Sequence, residues 1–218
     1  MAIALVTSLG TNGGYGTVNT TELVVSGSDT YIIAFARIGE DTAAVSTVTW
    51  NGDAMTEIAA IASGAVDVSY AMYGLVNPDS GTHDLVVTWD TASIENLAIG
   101  AVFSGVDQTT PLGVDDGGAE GYSASYAPSL ATDSGDWIVA GMSGNAAGIT
   151  IGNGGTQITS TIVGDGPYSA IAAGYEEASG TPTSFSLDHG ASFYAGGAVV
   201  LNVAAASSTP FIPNVTYF

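Results

Sequence analysis

Asn96–Gly105 reads NLAIGAVFSG. This continuous run of small and apolar residues predicts a central β-strand buried on both faces. Phe193–Ala204 (FYAGGAVVLNVA) echoes it, with Gly197-Ala198-Val199 set against Gly100-Ala101-Val102. The echo continues outward from these two runs. Asp136–Ser143 (DWIVAGMS) matches Thr30–Arg37 (TYIIAFAR), and Tyr168–Glu177 matches Asp67–Val76. Ser184–Asp188 after Gly180-Thr181 matches Asp84–Trp89 after Gly81-Thr82. The hairpin signal Asn51-Gly52 has a counterpart at Asn153-Gly154-Gly155, and Asn-Gly tolerates the positive φ of a tight turn. The offset falls from about 106 to about 97 residues along the chain, as unequal loops would make it.

These runs predict an all-β protein: an antiparallel, jelly-roll-like β-sandwich built from a duplicated six-strand unit. Composition agrees. Gly is 30 of 218 residues, and Lys, Arg, Gln and Glu are scarce. No stretch keeps an i, i+3, i+4, i+7 apolar pattern over three turns. Two arrangements fit, either two sheets of one pseudo-symmetric sandwich or two small sandwiches in tandem. A six-strand unit so poor in large side chains would bury only a thin core alone, which favours one sandwich over residues 1–204. Its halves would be about 1–106 and 127–204, joined by an acidic, Gly-rich crossover over 107–126.

Charge excludes several functions. There are 21 Asp plus Glu against one basic side chain, Arg37, and the formal net charge is −20. Charged residues are 10% of the chain, so the acidity comes mainly from missing cations. Nucleic acid and anionic membrane surfaces need cations that this chain lacks. Zero cysteines exclude disulfides, thiolate zinc sites and a Cys nucleophile. No apolar run is long enough for a transmembrane helix. The opening MAIALVTSLGTNGG lacks the positive n-region of a secretory signal.

Five segments carry a resemblance: Ile3–Val6, Asp29–Phe35, Thr49–Gly52, Tyr70–Tyr73 and Ala101–Leu112. In this order they resemble a loosely defined domain of tailed-phage virion proteins and of some bacterial surface proteins. The matching motifs are turns and buried strands and carry no catalytic positions. The resemblance implies a β-sandwich displayed on a virion or cell surface, and the missing signal suits a virion protein released by lysis.

Residues 205–218 (AASSTPFIPNVTYF) differ from the rest, with two prolines that block ladder pairing and an apolar end. They read either as a last strand folded back on the sandwich or as a C-terminal arm. Phe211, Ile212, Val215, Tyr217 and Phe218 are the candidate residues of that assembly arm.

Candidate chemistry is sparse. Asp107, Asp115, Asp116 and Glu120 cluster in a Gly-rich stretch, and hard oxygen donors in a flexible loop suit Ca²⁺. No other cofactor is expected. Trp50, Trp89, Tyr73 and Tyr175 are candidates for a glycan-stacking platform, although aromatics in sandwiches more often fill the core. His83 and His189 sit beside Asp84 and Asp188, without the close spacing of a ligand pair. There is no Gly-x-Ser-x-Gly, and Glu176 and Glu177 point to opposite faces of a strand. No enzyme activity is expected.

The expected function is that of a virion structural protein on the outer surface of a tailed virus. It would decorate or cement the capsid, or belong to the tail, acting by adhesion and self-association as a homo-oligomer. A carbohydrate-binding host-recognition module on a tail fibre or cell surface is the alternative, and an extracellular filament subunit a second. Partners would be copies of itself and other virion proteins, with surface glycans in the alternative reading. Neither nucleic-acid binding nor membrane insertion is expected.

Overall fold

The structure is a computed structural model and describes residues 2–12, 16–37, 44–63, 68–93, 96–145, 148–163, 169–179 and 183–205. Among them every regular element is a strand, and every strand pairing is antiparallel. The first half supplies β1 (Ala4–Asn12), β2 (Gly16–Val25), β3 (Tyr31–Arg37), β4 (Val45–Trp50), β5 (Asp53–Ala54), β6 (Thr56–Ser63), β7 (Val68–Val76), β8 (Gly81–Ser93) and β9 (Leu97–Ser104). The second supplies β10 (Leu112–Asp115), β11 (Ala119–Tyr126), β12 (Ser129–Leu130), β13 (Ser134–Gly144), β14 (Thr150–Gly152), β15 (Thr156–Val163), β16 (Ser169–Ser179), β17 (Thr183–Ser184) and β18 (Ser186–Leu201).

The strands form four layers. An inner sheet of order β1-β9-β3-β7-β6 faces an outer sheet of order β2-β8-β4-β5. Leu23, Ile32, Ala34, Val48, Trp50, Leu85, Val87, Trp89 and Val102 close the core between them. The second half repeats the order, with β10-β18-β13-β16-β15 as its inner sheet. β11 and β14 flank the first part of β18 and cover this sheet from outside, where Tyr126, Ile138, Met142, Phe185, Leu187 and Val200 form the core. β18 thus does by itself, over 16 residues, what β8 and β9 do in the first half.

The two inner sheets then pack on each other. Ile33, Phe35, Tyr70, Met72, Ile99 and Phe103 meet Trp137, Val139, Ile171, Ala173, Val199 and Leu201 in a third core. The stacking is reciprocal in part. β9 lies against β16 and β7 against β18, while the edge strand β1 lies against β15 and β6 against β11 and β18. The contacts of β9 with β16 and of β7 with β18 exchange equivalent places in the two sheet orders, and those of the edge strands do not. The stacking explains why every residue of β3 is buried: this strand has a core on each side.

Small residues make the close stacking possible. A β-carbon on Gly141 would overlap the Phe35 ring and come 2.7 Å from Tyr70 Oη. Turns follow the sequence. Asn51 and Gly52 have φ of 49° and 90°, and Asn153 and Gly154 have 53° and 92°, the two positive values of a type I′ hairpin.

Two expectations need correction. Residues 107–126 are not a plain crossover, because β10 and the whole of β11 lie in this segment and pair with β18. The echo between the last strands is also displaced by one residue. Tyr31 pairs with Phe103 and Trp137 with Leu201, while Ala34 pairs with Gly100 and Ala140 with Ala198. By place in the sheet, therefore, Gly100 corresponds to Ala198 rather than to Gly197. A slip of one residue exchanges the two faces of a strand. Gly100 abuts Leu23 and Leu85 on the outer side, whereas Gly197 abuts Tyr70 on the shared side.

Candidate functional site

Buried polar groups gather at one pole of the stack, where β3 and β13 end. Arg37, the last residue of β3, is 0% exposed and donates from Nη2 to Asn145 Oδ1 at 2.8 Å. Asn145 follows β13, so this bond joins the two halves. Asn145 is itself held, its N–H donating to Phe193 O at 3.3 Å and its carbonyl accepting from Ser192 Oγ at 2.7 Å. Nearby, Ser143 Oγ donates to Ser69 O at 3.0 Å, a second bond between the halves. Burying a guanidinium is costly unless its N–H groups are bonded, so this contact fixes a geometry rather than offering a free cation.

His189 lies on the same side of the second half. It is 9% exposed, and neither ring nitrogen has a hydrogen-bond partner. Its ring packs on Tyr194 at 5.8 Å between centroids. Burial pushes the imidazole below its ordinary value of 6.5, opposed by the charge of Asp188. His83, by contrast, is half-buried on β8 with its ring edge-on to Trp50 at 5.5 Å. The two histidines belong to different outer layers.

The four candidate calcium ligands are engaged locally. Asp107 Oδ1 accepts from the N–H groups of Thr109 at 2.7 Å and Thr110 at 2.8 Å, which holds its carboxyl below the usual range. Asp115 Oδ1 accepts from Gly117 N at 2.9 Å. Asp116 Oδ1 accepts from Gly118 N at 3.0 Å and Ala198 N at 2.9 Å, and its Oδ2 accepts from the Tyr126 hydroxyl. Glu120 is exposed on β11. Among the described residues no three Asp, Glu or His side chains come together in a group that could hold a metal ion. Asp116 is instead the peg of the corner between β10 and β11. Burial, the bond to Asp116 and its charge push the Tyr126 phenol far above its ordinary value.

The four proposed glycan-stacking rings are corrected by their burial. Trp50 is 0% and Trp89 2% exposed, and both belong to the core between the first two sheets. Tyr73 is 7% exposed and donates from Oη to Glu57 Oε2 at 3.0 Å. Tyr175 is half-buried and stacks on Trp137 at 4.2 Å with 6° between the planes. The reason is the pleat: Trp50 and Trp89 occupy inward positions of β4 and β8. Among the described residues the exposed aromatics are Tyr122, 65% exposed, and Phe193, 40% exposed. They are directly opposite across β11 and β18, edge to face at 5.2 Å. No sequence signal singles out Tyr122: it shares strand parity with Tyr126, which is buried because the ladder shifts register between Ser123 and Ser125. Phe211, Ile212, Val215, Tyr217 and Phe218 lie outside the described residues.

Compared with known proteins, the chain matches no family model, no curated protein and no solved structure.

Proposed function

We propose that the chain is a structural protein of a virion surface, a decoration, cement or tail-associated subunit of a tailed virus that acts by adhesion and self-association. The observation that carries this reading is the burial of Arg37. It is the only Lys or Arg in the sequence and is 0% exposed, so no fixed side-chain cation of either type reaches solvent. Copies of such a protein cannot join through Lys or Arg ion pairs. They meet through apolar and hydrogen-bonding β-surfaces, while the acidic exterior keeps assembled particles apart. The segments read in the sequence as resembling virion-surface domains supply strands and turns of this fold, which suits display. The apolar run Phe211–Phe218 serves in this proposal as the arm that joins neighbours.

The test is the mass in solution of the full chain and of a version ending at Ala204, at low and high salt. A defined oligomer of the full chain and a folded monomer of the shortened one support the arm. Folded monomers of both at every salt overturn self-association through residues 205–218.

A further inference from the structure

We propose that Tyr122 and Phe193 form a stacking subsite for one ring of an uncharged sugar. The two rings face each other across the β11–β18 ladder at 5.2 Å with 76° between planes. They form an open corner on the outermost layer of the second half. Glu120 lies two residues before Tyr122 on the same exposed face of β11.

Size selects the occupant. An aromatic side chain buries 150–250 Å² at most, so the exposed parts of these two amount to roughly 200 Å². A stable protein interface needs about 800 Å² on each partner. The two rings alone supply about a quarter of that area, and they match the face of one pyranose. Charge selects further. With 21 carboxylic residues and its one Arg buried, the molecule repels phosphate, sulfate and uronate groups. A neutral sugar has both things that the corner can use. Its C–H face packs on the rings, and its hydroxyls donate to the Glu120 carboxylate and bond the Tyr122 hydroxyl. This subsite does not depend on the display role proposed above.

The experiment is titration calorimetry of the full chain with four neutral hexasaccharides at millimolar concentration: maltohexaose, cellohexaose, mannohexaose and the N-acetylglucosamine hexamer. At least one binds, and Tyr122→Ala and Phe193→Ala each weaken it about tenfold while both variants keep the β-sheet circular-dichroism spectrum of the parent. Both positions are solvent-facing, so both variants fold. The subsite is overturned if none of the four binds, or if both variants bind as well as the parent. It is also overturned if Tyr122→Ala dissolves an oligomer of the chain, which would make the pair a contact between copies. Each of these failures leaves the Arg37 argument for display untouched.

Discussion

Gly141 lies directly beneath Phe35, so close that a β-carbon on one would overlap the ring of the other. Gly141 is on β13 and Phe35 on β3, the central strands of the two inner sheets. The approach of the two halves is therefore limited at this point by a missing methyl group. Gly141→Ala forces the ring or the sheets to move, and destabilisation of about 1–3 kcal/mol is expected. Urea unfolding checks this: the midpoint falls while the slope is unchanged. Phe35→Ala should cost more, about 3–5 kcal/mol, because it opens a cavity in the shared core.

The Asp116 peg predicts a different response. Asp116→Ala leaves the N–H groups of Gly118 and Ala198 and the hydroxyl of Tyr126 without their acceptor. Each buried group left unsatisfied costs about 1–3 kcal/mol. Tyr126→Phe removes only the hydroxyl and should be the milder change. Ultraviolet titration offers a second measurement. Tyr126 and Tyr70 stay protonated in the native state after the exposed tyrosines have ionised, because burial and the Asp116 charge both disfavour phenolate.

His189 gives the protein a pH dependence of definite sign. Burial lowers its pKa below 6.5 in the folded state, so the unfolded chain binds the proton more tightly. The contribution is fully present above about pH 6.5 and is lost as pH falls below that value toward the folded pKa. His189→Leu should flatten this limb of the stability curve between about pH 6.5 and 5, above the range where carboxylates begin to protonate. A variant with the same slope as the parent in that window would show that another group titrates there.

Arg37 separates charge from shape. Arg37→Ala leaves Asn145 Oδ1 without its donor and empties a buried volume between the halves. Arg37→Met keeps most of the volume and removes the cost of burying a charge. Met should therefore be the better tolerated substitution, by about 1 kcal/mol or more. If Ala and Met are equally destabilising in thermal unfolding, the hydrogen bonding of Arg37 decides its role rather than its packing.

A net charge of −20 predicts salt dependence without any specific ion site. Self-repulsion between exposed carboxylates is screened over about 10 Å at 0.1 M salt. The unfolding temperature should rise with sodium chloride from low ionic strength and level off well below 1 M. A comparable rise with micromolar calcium, reversed by chelator, would instead point to a bound cation at the Asp107–Glu120 segment.

Much of this architecture is written locally. The Asn51-Gly52 and Asn153-Gly154 turns, the strand runs around them and the recurrence of their order need only neighbouring residues, because turn φ values and β-propensity are properties of short segments. What faced what was not legible there. A strand with one wet face alternates and so declares its orientation. β3, β7, β9 and the second part of β18 are apolar on both sides and declare nothing. That is why Gly197 could be set against Gly100, although the ladder through Trp137 and Leu201 places Ala198 there. Trp50 and Trp89 are a different case: β4 and β8 alternate, and both rings share the parity of the apolar Val48, Leu85 and Val87, so their inward position was legible. The sequence by itself determined an acidic, cation-poor, all-β chain. Only the tertiary structure decided that the halves stack through their inner sheets, that the single Arg is sealed between them, and that Tyr122 and Phe193 are left facing solvent. Those outcomes depend on pairings between residues 50 to 150 positions apart, and register over such distances is set by packing and hydrogen bonding rather than by local preference.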